Sequence, residues 1–118
     1  MSPWVRDVHS GGTPIPTTVQ EETRSRILAA AEKLGLSSKF RLEIRCKGSF
    51  CYIDAYETGS SILTHLCRLR YFSGREPKPW SLAFYTYSHE KYEPCVFPSG
   101  EELGTPEEGL EVGSVYLS

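Results

Sequence analysis

Long apolar runs are missing from this sequence of 118 residues. No stretch approaches the roughly 18 consecutive apolar residues of a membrane-spanning helix, so no such helix is predicted. The first residues, MSPWVRDVHSGGTPIP, also lack the apolar run of about 7–15 residues that an export signal requires. We therefore expect a cytoplasmic protein that makes no contact with a membrane.

A large excess of charge of one sign is missing as well. The formal net charge is −2, so no global field attracts the chain to nucleic acid or to an anionic surface. Hydrophobic residues make up 39% of the sequence, which is too many for intrinsic disorder. The length is that of one domain with one core.

The Cys-x-x-Cys spacing of zinc knuckles does not occur among the four cysteines, which are Cys46, Cys51, Cys67 and Cys95. In a reducing cytoplasm we expect free, buried thiols, and we predict no metal and no cofactor. Two alternatives involve His65, which strand alternation places on the inward face. It could join cysteines in a zinc site or serve Cys67 as a base, but a buried core histidine is the favoured interpretation.

Residues 1–17 contain three prolines and the pair Gly11-Gly12, which predicts a flexible arm before a single domain over 18–118. Thr18 and Glu21 have the spacing of a capping box, and apolar residues then recur at helical spacing. These features predict a helix over 19–34, with Gly35 in the left-handed position that follows its end.

Alternating apolar and polar residues predict strands in the rest of the chain. Gly48-Ser49 suits a type II′ hairpin turn, which sets Cys46 opposite Cys51 and Ile44 opposite Ile53. Three further strands are predicted within 62–72, 80–88 and 92–97, the last at an edge because Pro94 cannot donate to a ladder.

Thr105 and Glu108 bracket the start of a short C-terminal helix, in which Gly109 and Gly113 share one face and allow a close approach to the sheet. The predicted fold class is therefore α+β. An N-terminal helix packs on a mostly antiparallel, five-stranded meander, and a short helix ends the chain.

Three runs of the sequence, THLCRLRYF, FYTYSHEKYEPCVF and GTPEEGLEVGSVYL, carry a resemblance to a family. The chain resembles small bacterial proteins of unknown function, of the kind carried on mobile elements and in integron cassettes. This resemblance extends over roughly 18–118. It implies one compact domain and transfers no site residues.

The outward face of the first three strands combines basic and aromatic residues, which protein interfaces use more than other surfaces do. The candidate binding residues there are Arg41, Arg45, Tyr52, Asp54, Tyr56, Arg68 and Arg70. We therefore favour a non-enzymatic binding module, with a protein, a small ligand or a second copy of the chain as partner. Nucleic acid ranks lower, because the RNA-recognition signature of glycine and aromatic residues on one strand is absent.

The alternative from another class is a small metal-dependent hydrolase that uses Glu43 and Asp54. The hairpin register places these carboxylates on one face and nearly opposite, where they repel each other unless a cation lies between them. Arg41, Arg45 and Arg68 are close enough in the predicted sheet to neutralise them. A salt-bridge network is therefore favoured over a metal site.

Overall fold

The computed structural model describes residues 12–117 and shows an α+β fold, which confirms the predicted class. Its elements, in chain order, are α1 (Thr17–Lys33), β1 (Phe40–Lys47), β2 (Phe50–Glu57), β3 (Leu63–Tyr71), β4 (Trp80–Thr86), β5 (Lys91–Cys95), β6 (Leu103–Gly104), α2 (Pro106–Gly113) and a 3-10 helix (Ser114–Leu117). The short β6 is not among the strands that the sequence predicts. Neither α1 nor α2 combines the length and the apolar character that crossing a bilayer demands.

The sheet is an antiparallel meander in the order β1-β2-β3-β4-β5, and β6 pairs with β4 beside β5. Since β1 and β5 end this order, they are its edge strands. The prediction that Pro94 marks an edge strand is therefore confirmed.

The predicted register of the first hairpin is confirmed at every pair. Cys46 lies opposite Cys51, and Ile44 lies opposite Ile53. Gly48 has a φ of 61°, which suits the first turn position of a type II′ hairpin. Because side chains alternate along a strand, this register fixes which residues of β1 and β2 share a face.

Both helices pack on one face of the sheet, called the inner face. A Cβ atom built on Gly109 would lie 2.8 Å from Leu69 Cδ2, and one built on Gly113 would lie 3.1 Å from Leu66 Cβ. The predicted close approach of this glycine pair to the sheet is thus confirmed. The inner face carries the core, whose largest buried apolar side chains are Trp80, Phe97, Ile27, Ile53, Leu66, Leu69 and Leu110.

The ends of the helices follow the predicted patterns in part. Helix α1 begins at Thr17 after Pro16 and has no side-chain cap, so the predicted Thr18 capping box does not form. At its other end Gly35 has a φ of 74°, as predicted. Helix α2 begins with the predicted capping box, in which Thr105 and Glu108 each bond the other's backbone N–H.

Residues 12–16, the part of the predicted flexible arm that the structure describes before α1, pack against the sheet. Thr13 N–H donates to Tyr71 O at 2.8 Å, Ile15 N–H donates to Gly48 O at 3.0 Å, and Ile15 is buried. Residues 12–16 are therefore held by the domain, because a buried isoleucine and two backbone hydrogen bonds fix them. The rest of the predicted arm, 1–11, lies outside the described residues.

Candidate binding face

The face of the sheet opposite the helices is called the outer face. Strand alternation places on it all seven sequence-predicted binding residues, which are Arg41, Arg45, Tyr52, Asp54, Tyr56, Arg68 and Arg70. Helix α2 packs against Leu66, Leu69 and Leu82 on the inner face, so it does not lie across this set.

Three of the seven residues are nevertheless buried. The exposed fraction is 8% for Arg68, 3% for Arg70 and 1% for Asp54. Arg68 and Arg70 are therefore not exposed, as a contact surface made by their own side chains would require. Buried arginines contribute to the fold through their partners, and a docking protein does not reach them directly.

Arg68 lies in an aromatic slot on the outer face. Its guanidinium carbon is 4.3 Å from the ring centre of Phe50, 4.8 Å from that of Tyr92 and 5.9 Å from that of Tyr52. A desolvated cation–π contact contributes about 2 kcal/mol to the free energy of unfolding. Through these contacts Arg68 of β3 stabilises the packing of β2 and β5 against it.

The exposed part of the outer face lies along β1 and β2. The guanidinium of Arg41 stacks 4.7 Å from the ring centre of Tyr56, and that of Arg45 stacks 5.0 Å from the ring centre of Tyr52. Each stack joins direct cross-strand partners. Stacking limits the freedom of a guanidinium but leaves the N–H groups at its edge able to donate.

A β-bulge changes the facing of His65. Ile53 pairs with Cys67 and Asp54 pairs with His65, so Leu66 is an extra residue in β3. The prediction that His65 shares the inward face with Cys67 is therefore wrong. His65 lies on the outer face and Cys67 on the inner face. His65 therefore cannot join the inward cysteines in a zinc site, and it cannot serve Cys67 as a base.

His65 is held by a buried carboxylate. Its Nδ1 is 3.0 Å from Asp54 Oδ1, and 34% of the His65 side chain remains exposed. Oδ2 of Asp54 has no hydrogen-bond partner within residues 12–117, while the nearest guanidinium nitrogen of Arg45 is 3.8 Å away. A single carboxylate thus lies between an imidazole and a guanidinium.

Tyrosines surround this pair of residues. The His65 ring centre is 4.8 Å from that of Tyr85 and 6.4 Å from that of Tyr92, and its backbone N–H donates to the Tyr87 hydroxyl at 2.7 Å. Burial, together with the negative charge of Asp54, raises the pKa of Tyr92, which keeps this phenol neutral. Tyr85 and Tyr92 are not among the seven sequence-predicted binding residues.

The cysteines on the inner face differ in acidity. A hydrogen bond from the Cys51 thiol lowers the pKa of Cys46 to about 7, against the opposite effect of partial burial, and the Arg24 cation adds to the lowering. Burial raises the pKa of Cys67 far above its usual value and that of Cys95 to about 11. Cys46 is therefore the most acidic of the four thiols, while Cys67 is suited to packing alone.

The geometry gives little support to the hydrolase alternative. Glu43 and Asp54 are direct cross-strand partners, but Asp54 already bonds His65 and is closed to solvent. Among the side chains of 12–117, no three His, Cys, Asp or Glu residues are arranged to hold a metal ion.

No known family model matches this chain, and no match was found among curated proteins or among solved structures.

Proposed function

We propose that this protein is a non-enzymatic interaction module, and that the exposed arginines of the outer face bind an acidic partner protein. The observation that supports this best is the pair of stacked, exposed guanidinium groups at Arg41 and Arg45. Both have donors available at their edges, in the fork geometry that carboxylates match.

The spacing of these cations suits an extended partner. Arg41 and Arg45 are four positions apart on one strand, which separates them by about 13 Å at the usual rise of a strand. Lys47 continues the exposed row on the same face. A partner segment in extended conformation can offer glutamate or aspartate at every fourth position, opposite Arg41 and Arg45, with a neutral residue opposite Glu43 between them. Charge and spacing are then both complementary.

The same stacks favour a carboxylate partner over single-stranded nucleic acid. Bases bind to such surfaces by stacking on open aromatic faces. Here the rings of Tyr52 and Tyr56 already carry arginines on one face, and Phe50 carries Arg68. A second copy of the chain is also disfavoured as the occupant, because it brings Arg41, Arg45 and Lys47 against the same three cations, with Glu43 as the one acid in each row.

Binding of a defined acidic peptide tests the proposal. A fluorescein-labelled peptide of valine and serine with glutamate at every fourth position, called the glutamate–valine peptide and added at low ionic strength, should show a rise in fluorescence anisotropy on binding. Arg41→Ala with Arg45→Ala should weaken this binding at least about tenfold, the equivalent of one lost charge-assisted hydrogen bond. Lys33→Ala with Arg75→Ala is the matched control, since it removes the same charge from exposed positions elsewhere.

A labelled oligouridine of equal length serves as the competing probe. The proposal is wrong if the acidic peptide does not bind or if the control pair weakens binding as much as the test pair. Tight binding of oligouridine that requires Arg41 and Arg45, without binding of the peptide, would instead identify a nucleic-acid surface.

A further inference from the structure

A buried carboxylate at the centre of the outer face is the starting point of a second inference. Asp54 is 1% exposed, and strand pairing fixes it between Glu43 of β1 and His65 of β3. Burying a carboxylate is costly unless cations or donors compensate it. Its Oδ1 bonds His65, but its Oδ2 lacks any hydrogen-bond partner in the described chain.

Arg45 and His65 both approach this one carboxylate, each toward a different oxygen. His65 Nδ1 is 3.0 Å from Oδ1, which fixes the ring and leaves Nε2 as its other polar atom. Arg45 remains 3.8 Å from Oδ2, too far for a hydrogen bond, and 55% of its side chain is exposed. Asp54 therefore orients His65 through a hydrogen bond and attracts Arg45 by its charge, while the stack on Tyr52 limits the freedom of that guanidinium.

We propose that Arg45 and His65, the two basic side chains that lie beside the buried Asp54, form a subsite that binds one carboxylate of the acidic partner. This inference rests on the proposed function and adds a specific ligand group to it. The guanidinium edge of Arg45 and the Nε2–H of protonated His65 donate to the incoming carboxylate, while Tyr85 forms one side of the subsite through its contact with the imidazole.

The charge of His65 determines how strongly the subsite binds an anion. Asp54 offsets one positive charge, so an incoming anion gains most when both Arg45 and His65 are cationic. Histidine is the side chain that ordinarily changes charge between about pH 5 and 8. Carboxylate binding should therefore strengthen as the pH falls through this range.

The other ionisable groups near His65 come from every adjoining strand. They are Glu43, Arg45 and Asp54 from β1 and β2, Arg68 from β3, and Tyr85, Tyr87 and Tyr92 from β4, β5 and the turn between them. The neutral phenol of Tyr92 and the permanently charged arginines do not change charge in this range. Cys46 changes charge near pH 7, but its side chain lies on the inner face.

The test measures the dissociation constant of the same glutamate–valine peptide between about pH 5.5 and 8. Wild-type protein should bind about tenfold more tightly at the lower pH, the effect of one hydrogen bond to a charged donor. His65→Gln should remove this dependence and keep the weaker affinity. His89→Gln is the matched control, because His89 also bonds a carboxylate, Glu93, but in an exposed turn, and it should keep the wild-type dependence.

The possible outcomes separate the two proposals. An affinity that does not change with pH in wild type, or a dependence that persists in His65→Gln, overturns the subsite while leaving the interaction module intact. Absence of peptide binding at every pH overturns the proposed function itself. Circular dichroism spectra of each variant at both pH limits should match those of the wild type, which shows that the affinities compared are those of folded proteins.

Discussion

Burial separates arginines that look equivalent in the sequence. Arg45 and Arg68 both alternate with apolar neighbours and both lie on the outer face, yet one is mostly exposed and the other is buried among aromatic rings. The sequence shows alternation, which determines the face, but it does not show how many rings converge on a position. The second property depends on the pairing of β2 with β3 and of β4 with β5.

The two arginines should therefore differ in their effect on stability. Arg68→Ala should lower the free energy of unfolding by about 2–4 kcal/mol, through lost cation–π contacts and lost packing of its stem. Arg45→Ala should lower it by less than about 1 kcal/mol, as is usual for an exposed charge. Urea denaturation gives both values. Arg68→Lys should also lower the free energy of unfolding, by less than Arg68→Ala does, because an ammonium does not stack on a ring as a planar guanidinium does. Equal losses at the two positions would contradict the assigned burial.

Cys46 should react faster than the other cysteines near neutral pH. The hydrogen bond from Cys51 lowers the pKa of Cys46 to about 7, so its thiolate fraction rises through that pH. Alkylation by iodoacetamide, followed by peptide mass spectrometry, should show Cys46 modified first and Cys67 last. Cys51→Ala should slow the reaction, whereas Cys51→Ser keeps a hydroxyl donor and should slow it less. A rate at Cys46 that does not depend on residue 51 would refute this explanation.

At the scale of elements, a single extra residue explains the largest error of prediction. Strict alternation along β3 assigns His65 and Cys67 to one face, but the bulge at Leu66 separates them. The one available signal is the adjacent apolar pair Leu66-Cys67, which interrupts the alternation. Bulges have few local sequence determinants, because an unpaired residue is stabilised by its tertiary contacts. Leu66 makes such a contact with Gly113 of α2.

Other elements could be predicted because their determinants are local. The Gly48 hairpin fixes its own register, and Thr105 with Glu108 forms the cap that begins α2. The start of α1 is harder to predict, because the helix begins at Thr17, directly after Pro16, with no side-chain cap to mark its first residue. Short β6 has no periodicity to detect, since it comprises two residues.

A salt bridge between the two helices should contribute to stability in a pH-dependent way. Arg26 donates twice to Glu107, with both distances 2.7 Å. Partial burial is the largest single effect and raises the pKa of Glu107. The hydrogen bonds and charge of Arg26, together with hydrogen bonds from the Glu107 backbone and from Thr105, outweigh it and lower the pKa below its ordinary value. The stabilisation is therefore present above about pH 4.3, the ordinary value of a glutamate, and is lost as the pH falls through the lowered folded value.

Glu107→Gln should accordingly lower the free energy of unfolding by about 0.5–1 kcal/mol at neutral pH, a modest value because both side chains are partly exposed to solvent. Urea denaturation at pH 7 and near pH 3 should show the difference only at the higher pH. Glu101→Gln provides the control, since Glu101 makes a single, longer contact of 3.4 Å with Lys78 and should change stability less. A difference for Glu107→Gln that is the same at both pH values would mean that packing, and not charge, explains it.

At the scale of the whole molecule, the two faces of the sheet differ in what they carry. The helices and the apolar core occupy the inner face, while the outer face combines a buried centre at Asp54 and Arg68 with exposed cations along β1. Alternation alone predicts the two faces correctly along β1, along β2 and along β3 after the bulge. It could not predict that the outer face has its own buried polar layer, because that layer requires β4 and β5 to bring Tyr85 and Tyr92 against β2 and β3.

The central claim is that the exposed arginines of the outer face contact the partner, and side-chain NMR tests it most directly. The Nε–H signals of arginine report on each guanidinium separately during titration with the glutamate–valine peptide. The account predicts that the signals of Arg41 and Arg45 shift progressively and saturate together, while those of Arg26 and Arg75 stay unchanged. Shifts at Arg26 or Arg75 with none at Arg41 and Arg45 would place the contact elsewhere and contradict the account.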